Sequence, residues 1–396
     1  MKRIEIERSV PTQIAIKKAE KCFEYLNLKY DIHKKCSVNK LLATYSVILD
    51  GINIQGNGKG SGRQSLASAL FEALEHYVYY NSFLCDENRK IEDINLQSDR
   101  LKREFPITYL LKKCNDQELL EVTKFKNLKK DTYIYYPTSL WNIFNKSFIG
   151  KYDELKKYST NSGCAIGITK AEAILHAVNE LLERDALSWH YYKVFINKSK
   201  NAKRVNICSL PLDLQRIYYE VKNSIKKDIT VIKIETIQGF YCYMVYAENN
   251  NTGIPYKGSG LSTSPEYALE RALLECLQTF HLSCKETEFE DKAAYENLRQ
   301  YEKYLKILKL DYENHFTDVK FDSNVIGFRN VNEILNYESK ILNQYEMEIY
   351  YKELLVVDDI YCVQVIIPGI EKFYLVGNGI PVILGNEREN LERIYI

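Results

Sequence analysis

The sequence lacks the features that would place it in several common functional classes. Its formal net charge is only +1, with 54 Lys and Arg against 53 Asp and Glu, so no global field attracts nucleic acid or an anionic membrane. No stretch approaches the ~20 apolar residues that a membrane span needs, and the N-terminus has no signal-peptide core. These absences predict a globular, cytoplasmic protein with neither nucleic acid nor a membrane as its partner.

Paired cysteines and flexible linkers are also missing. The ten cysteines never form a C-x-x-C pair, which is the spacing typical of zinc and redox sites. A chain of 396 residues can bury a core without disulfides, so we predict reduced thiols. No Pro/Gly/Ser-rich segment divides the chain, and tyrosine-rich runs such as residues 133–136 indicate half-buried sheet. The sequence therefore predicts one α/β (α+β) domain.

Three segments repeat one design, in which glycines precede a helix that carries a polar stripe. The stripes are Ser68, Glu72 and Glu75 behind residues 56–62; His176, Glu180 and Glu183 behind residues 161–167; and Arg271, Glu275 and Gln278 behind residues 257–260. The i, i+4, i+7 spacing places the polar residues of each helix within about 60° of one another. We interpret the glycine segments as loops whose backbone N–H groups rim one cavity, on which the stripes converge.

The predicted cavity is rich in carboxylates. Six glutamates lie on helix faces otherwise formed by Ala, Leu and Ile: Glu72, Glu75, Glu172, Glu180, Glu183 and Glu275. A single glutamate is more often a solvated helix position, but six behind glycine segments indicate a site. Carboxylates without histidine or cysteine partners favour a hard cation such as Mg²⁺, and Lys59, Arg184 and Arg271 suit phosphate groups. The residues thus predict a magnesium–nucleotide site for phosphoryl transfer.

Other catalytic classes find no support in the sequence. The first glycine segment is not a P-loop, because Asn53 and Gly60 stand where that motif needs glycine and Ser or Thr. No Ser-His-Asp or Cys-His arrangement is visible, so we expect the substrate to supply the nucleophile. His176 suits either a phosphate or ribose contact or a satisfied core position.

The three motifs resemble the YcaO family. Residues 57–60 read N-G-K-G and precede A-S-A-L-F-E-A-L-E-H at 67–76; residues 161–169 precede E-A at 172–173 and E-L-L-E-R-D-A at 180–186; and A-L-E-R-A-L-L-E-C-L-Q occupies 268–278. Residues 365–369 resemble the closing strand of the family. The resemblance implies a single YcaO domain over residues 45–385, with mixed sheets and helices converging on a Mg-nucleotide site. An N-terminal helix and strand extension covers residues 1–44, and a C-terminal tail covers residues 386–396.

The resemblance implies an ATP- and Mg²⁺-dependent cyclodehydratase. In this reaction a Cys, Ser or Thr side chain of a ribosomal precursor peptide attacks the preceding carbonyl, whose oxygen is phosphorylated, and elimination leaves a thiazoline or oxazoline. Bacteriocins and antibiotics mature in this way. By motif position the resemblance implies catalysis by Glu75, Glu183 and Arg184; cofactor binding by Lys59, Ser61, Ser68, Glu72, Ser162, Glu172, Glu180, Arg271 and Gln278; and metal binding by Glu72, Glu75, Glu180, Glu183 and Glu275.

The sequence departs from the family pattern in four places, one of them Ile168, which stands where a polar residue is common. His76 replaces the usual arginine, Asn161-Ser162 inverts the usual order, and the proline-rich C-terminus of many azoline-forming members is missing. Residues 1–44 are too few for a leader-binding domain. We therefore expect a separate leader-peptide-binding partner, and a flavin-dependent dehydrogenase where azolines are oxidised to azoles, in an oligomer or multi-subunit complex of the microcin type. A thioamide- or amidine-forming enzyme and a non-catalytic nucleotide-binding scaffold subunit remain alternatives.

Overall fold

The computed structural model describes residues 7–82, 87–95, 99–115, 117–148, 150–323 and 326–385. The predicted tail at 386–396 lies outside these ranges. The strands are β1 (Tyr30–Cys36), β2 (Ala43–Leu49), β3 (Gln55–Gly60), β4 (Glu87–Lys90), β5 (Leu119–Asn127), β6 (Tyr133–Pro137), β7 (Cys164–Gly167), β8 (Ala202–Val205), β9 (Ile229–Ile234), β10 (Tyr241–Ala247), β11 (Tyr256–Ser262), β12 (Phe316–Val319), β13 (Tyr350–Val357) and β14 (Ile360–Ile366).

Eleven α-helices are seen in the described part of the chain. They are α1 (Thr12–Tyr25), α2 (Arg63–Asn81), α3 (Ile91–Asn95), α4 (Phe105–Lys113), α5 (Asp153–Lys156), α6 (Lys170–Tyr191), α7 (Leu212–Ile225), α8 (Pro265–Leu282), α9 (Lys285–Leu298), α10 (Glu302–Lys309) and α11 (Val331–Gln344). A π-helical turn, Tyr192–Ile196, continues α6, and short 3-10 turns include Phe373–Asn378. None of the described helices combines the length and the apolar composition that a bilayer crossing requires.

The strands form three sheets. The first has the order β1-β2-β3, the second β11-β10-β9-β8-β12, and the third β4-β5-β13-β14-β7, with β6 paired to β5. Among the described strands the pairs are antiparallel except β8 with β12. Each sheet contains one strand that runs directly into a long helix packed on that strand: β3 into α2, β7 into α6 and β11 into α8. The predicted α/β (α+β) class is confirmed.

The interpretation of the glycine segments as loops is wrong for the first and third repeats. Gly56, Gly58 and Gly60 lie in β3, and Gly258 and Gly260 lie in β11. Residues two apart share one face of a strand, and here that face lies directly against the following helix. A Cβ at Gly58 would overlap the backbone of α2, and a Cβ at Gly258 would overlap that of α8. The glycines allow close helix–strand packing.

The second repeat differs from the other two in its first glycine, which lies in a turn and not in a strand. Gly163, with φ +85°, belongs to a turn, while β7 follows at Cys164–Gly167. At Gly167 a Cβ would stand 2.7 Å from the backbone nitrogen of Ala173 in α6, so this strand end also needs a glycine. Thr169 caps α6, since its Oγ1 accepts the backbone N–H of Glu172 at 3.2 Å. All three helices are thereby held at short range from their strands.

Candidate functional site

A cavity of about 350 Å³ lies between α2, α6 and α8 and is bordered by residues of the N-terminal segment. Ten of the predicted site residues line it: Lys59, Ser68, Glu72, Glu75, Glu172, Glu180, Glu183, Arg184, Arg271 and Glu275. Each helix contributes through its polar stripe, because the i, i+4, i+7 spacing keeps those side chains on one face. The three polar stripes therefore converge on this cavity as expected, with the exception of Gln278 in the third stripe.

Three predicted cofactor-binding residues lie away from this cavity. Ser61 is exposed at the turn before α2. Ser162 is buried, and its hydroxyl is 2.8 Å from the Tyr374 hydroxyl. Gln278 donates from Nε2 to the backbone carbonyl of Asn57 and so ties α8 to β3. In this structure the last two side chains hold the walls of the site together.

Glu75 of α2 lies among other acidic groups in the cavity, and no cation is among the main influences on its pKa. Burial raises the pKa of Glu75 well above its ordinary range, and the charges of Cys164, Glu180 and Glu72 raise it further. Burial also raises the pKa of Glu72 and of Glu180. Buried like charges of this kind are unfavourable without a cation. This side of the cavity is suited to a divalent metal ion.

A second part of the cavity, which Glu180 also borders, contains cationic side chains. Lys59 forms an ion pair with Glu275, and the Arg184 guanidinium is 3.6 Å from Glu183 and 3.9 Å from Glu180. Burial acts to raise the pKa of Glu275, but Lys59 and Arg184 outweigh it and the pKa is lowered. Within the described structure the buried Nε of Arg184 has no hydrogen-bond acceptor. This part is suited to an anionic group such as phosphate.

The N-terminal segment supplies a cation that the sequence analysis missed. Arg8 lines the cavity with its Nη1 3.4 Å from Glu172 Oε1, and the Ser9 backbone N–H donates to Glu172 Oε2 at 3.0 Å. The Ser9 hydroxyl also lies 2.9 Å from that of Thr169, the cap of α6. Arg8 stands outside the three glycine–helix repeats, so the pattern that identified the other residues gives no signal for it.

The cavity also has an apolar wall. It is lined by Val10, Ala15, Phe71, Ile168, Tyr267 and Leu274, side chains suited to the flat face of a nucleotide base. His176 lies in the lining as well. Burial lowers its pKa well below the ordinary value, and Arg271 and Arg8 lower it further, so it is a neutral imidazole at pH 7.

Metal binding would require the glutamates to come closer together than they are here. Within the described ranges no three acidic, histidine or cysteine side chains are grouped as a preformed metal site. Instead Lys59, Arg184 and Arg8 approach Glu275, Glu183 and Glu172. Oxygen donors remain the right set for Mg²⁺, and carboxylate, guanidinium and apolar surfaces share one concave space. The residues therefore fit a magnesium–nucleotide complex.

A family model covers most of the chain. Residues 57–371 match the model described as YcaO cyclodehydratase, ATP- and Mg²⁺-binding. The chain belongs to the YcaO family. ATP and Mg²⁺ are the cofactors that this family binds, and the prediction of both is confirmed. The match begins at Asn57, so Arg8 lies outside it.

Solved structures show the same fold. YcaO from Methanopyrus kandleri bound with AMPPCP and Mg²⁺ superposes with a TM-score of 0.69 at 14% identity, over 96% of this chain and 98% of the other. A heterocyclase in complex with substrate and cofactor gives 0.65 at 18% identity, over 92% of this chain and 53% of its own. The E. coli microcin synthetase McbBCD complex gives 0.61 at 16% identity, over 87% and 88%. A comparison with curated proteins found no match.

Proposed function

We propose that this YcaO protein is an ATP- and Mg²⁺-dependent cyclodehydratase that forms thiazoline or oxazoline rings in a ribosomal precursor peptide. The observation that supports this most directly is the single cavity, which joins glutamates of three strand–helix units to two arginines and a lysine. Such a site binds and neutralises phosphate groups. ATP, when bound with Mg²⁺, supplies the phosphoryl group that turns an amide oxygen into a leaving group.

The nucleophile is expected to come from the peptide. Cys164 is in the cavity wall, but its neighbour Cys362, with Sγ at 4.0 Å, and burial raise its pKa well above the ordinary value. A thiol held in its neutral form is a poor nucleophile. A Cys, Ser or Thr side chain of the substrate peptide would therefore attack the backbone carbonyl that precedes it. The enzyme would orient the peptide and the nucleotide and neutralise the charge of the phosphate groups.

The site residues are proposed to share this work between two parts of the cavity. Glu72, Glu75 and Glu180 would hold Mg²⁺ together with Glu183 and Glu275, which would exchange their present cationic partners for metal. Arg184, Arg271 and Lys59 would then be released to bind phosphate oxygens. Ser68 and Glu172, both in the lining, are proposed contacts for the nucleotide. Glu75, Glu183 and Arg184, which all line the cavity, are the proposed catalytic residues.

Partners are part of the proposal. The E. coli microcin synthetase neighbours are McbBCD complexes, one of them with pro-MccB17 bound. By analogy we propose that a separate leader-binding protein presents the peptide to this chain, with a flavin dehydrogenase as a possible third component. The ATP requirement and the free cysteines of the described residues agree with a cytoplasmic location.

The direct test is mass spectrometry of a Cys/Ser/Thr-rich peptide encoded beside this chain and co-expressed with it and the adjacent proteins. Loss of one water per modified residue, dependent on this chain, supports azoline formation. Loss of two further hydrogens adds the dehydrogenase. Exchange of oxygen for sulfur, or gain of an amidine, would replace the proposal by the alternative YcaO chemistries. An unmodified peptide with full ATP binding would favour the scaffold alternative.

The site assignment has its own test. Glu183→Gln keeps the shape and the hydrogen bond with Ser259, which is 2.6 Å from Glu183 Oε1, but removes the charge. We expect Mg²⁺-dependent ATP turnover to fall by about 100-fold or more without loss of the folded state in circular dichroism. Glu296→Gln, on the exposed surface of α9, is the control. Turnover retained in Glu183→Gln would refute the assignment.

A further inference from the structure

Behind the cavity lies a buried polar cluster that contains more acceptors than donors. Glu338 of α11 is fully buried, and neither of its carboxyl oxygens has a hydrogen-bond partner among the described residues. Asn179 of α6, which is 5% exposed, likewise has an unpartnered Oδ1. Unsatisfied buried acceptors are costly, and α6 packs directly against α11. Such a cluster needs a further hydrogen-bond donor, and a proton bound to one of the carboxylates would supply it.

The cluster is connected to the N-terminal segment through Glu7. Asn179 Nδ2 donates to Glu7 Oε2 at 3.3 Å, and the Ser262 hydroxyl donates to Glu7 Oε1 at 2.5 Å. Glu7 has φ +67°, a left-handed conformation that a residue with a side chain keeps only when its surroundings hold it. The next residue is Arg8, which lines the nucleotide cavity. Whatever fixes Asn179 therefore also fixes the residue that precedes Arg8.

A proton on Glu338 resolves the shortage. Two ionised carboxylates facing one amide would share the two N–H groups of Asn179 and one serine hydroxyl, and each would be buried. A flipped Asn179 amide would not supply the missing donor, because Oδ1 would then face Glu7 Oε2, which would lose the N–H that it now accepts. A protonated carboxyl, in contrast, is a donor as well as an acceptor and removes one of the two charges that face the amide, while Asn179 Nδ2 stays directed at Glu7.

We propose that Glu338 is a positioning residue that remains a neutral acid in the folded protein, hydrogen-bonds to the Asn179 amide, and through Asn179 and Glu7 holds Arg8 at the nucleotide cavity. The inference rests on the proposed use of that cavity for ATP. Burial raises the pKa of Glu338 well above the ordinary value and the charge of Glu7 raises it further, while hydrogen bonding with the Asn179 side chain lowers it in part. The cations Arg271 and Arg8 act on Glu7 and reduce the rise that burial causes in its pKa.

The pH dependence follows from the sign of the shift. Since the folded-state pKa lies above the unfolded value of about 4.5, the folded state binds more protons than the unfolded chain above that pH. The contribution of Glu338 to stability is thus fully present at low pH and is lost as pH rises toward the folded-state pKa. Ionised Glu338 would face Glu7, so the N-terminal segment should loosen at high pH.

The experiment compares Glu338→Gln, Glu338→Leu and the wild type for binding of AMPPCP with Mg²⁺ by calorimetry between pH 6.5 and 9. Glutamine keeps a donor and has no charge, and leucine keeps volume without a donor. At pH 7 we expect Glu338→Gln to bind within about twofold of the wild type and Glu338→Leu about tenfold more weakly. Toward pH 9 the wild type should weaken while Glu338→Gln does not. Glu333→Gln is the control, because Glu333 lies in the first turn of α11 and glutamine keeps an oxygen to accept the Arg329 backbone N–H, 3.0 Å from Glu333 Oε2.

Thermal melting provides the second readout. The melting temperature of the wild type should decrease more steeply with pH above 4.5 than that of Glu338→Gln. Equal weakening of binding by glutamine and leucine at pH 7 would show that a carboxylate is needed and overturn the proposal. So would a stabilisation by K⁺ or Na⁺, at constant ionic strength, that Glu338→Gln abolishes, because a bound cation would then replace the proton. A wild type that does not bind AMPPCP would refute the nucleotide site, and the melting curves would still decide the protonation of Glu338.

Discussion

The first and third strand–helix units share a backbone device and differ in chemistry. In both β3–α2 and β11–α8, alternate glycines of the strand let the helix backbone approach closely. The stripe of α2 then presents Glu72 and Glu75 with no lysine or arginine of that helix in the cavity lining, whereas α8 presents Arg271 beside Glu275. Close packing of strand and helix therefore determines where the polar stripes meet. The identity of the stripe residues determines which part of ATP·Mg²⁺ each unit would bind.

The shared device should be the most sensitive to substitution. In Gly58→Ala the new Cβ would overlap the Ser65 carbonyl oxygen, and in Gly258→Ala it would overlap the Cys276 backbone nitrogen. Neither backbone can move without disturbing a helix, so we expect each variant to lose about 3 kcal/mol of unfolding free energy, measured by urea denaturation.

Gly327→Ala is the matched control, since nothing lies within 4 Å of the added Cβ, and its unfolding free energy should change by less than about 0.5 kcal/mol. If Gly58→Ala were destabilising and Gly258→Ala were not, the two units would not share one packing principle.

The glycines also show where sequence reasoning failed. Several glycines within six residues are equally typical of a loop and of a strand pressed against a helix, and only the partner helix distinguishes the two. The polar stripes were predictable, because i, i+4, i+7 spacing on an apolar helix has one geometric consequence. Arg8 was not, since its place in the site depends on how an N-terminal segment folds across α6. Ser61 and Ser162 were assigned by motif position alone, and neither lines the cavity. Gln278, the last residue of the third stripe, does not line it either, because its side chain is hydrogen-bonded to the Asn57 carbonyl.

The difference in charge between the α2 and α8 stripes is tested most strongly at Glu75. Glu75→Gln removes a desolvated charge while keeping an oxygen to accept the Ile166 N–H, now 3.2 Å from Glu75 Oε2. We expect Mg²⁺-dependent ATP turnover to fall by about 100-fold. Because the pKa of Glu75 is raised, its ionisation costs stability as pH rises above about 4.5. In Mg²⁺-free buffer at pH 8 the variant should therefore melt higher than the wild type, by about 2 °C.

The wild type should in turn be stabilised by Mg²⁺ at pH 8, and Glu75→Gln should respond less in the same differential scanning experiment. A variant that melts lower than the wild type without Mg²⁺ would mean that Glu75 is compensated by a charge in the folded state, and the contrast between α2 and α8 would be lost.

Lys59 connects the two units, because it belongs to β3 and pairs with Glu275 of α8. Lys59→Met should raise the KM for ATP about tenfold and change kcat less, since the variant loses a phosphate partner but keeps the proposed metal ligands. Lys352→Met, on the far strand β13, is the control. A fall in kcat at unchanged KM would place Lys59 in the chemical step instead of in binding.

The smallest effect is expected from giving α2 a permanent cation in the cavity lining. His76 borders the cavity, its Nδ1 lies 2.7 Å from the Gln55 carbonyl, and its charge already acts to lower the pKa of Glu72. His76→Arg, which restores the usual family residue, would hold a permanent charge beside Glu72. We expect melting at pH 8 without Mg²⁺ to rise slightly and the stabilisation by Mg²⁺ to shrink, because arginine would neutralise part of the same carboxylate cluster. A larger stabilisation by Mg²⁺ in His76→Arg would instead mean that the arginine orders the glutamates for metal binding. The cation at position 76 would then act through the geometry of the site and not through neutralisation of charge.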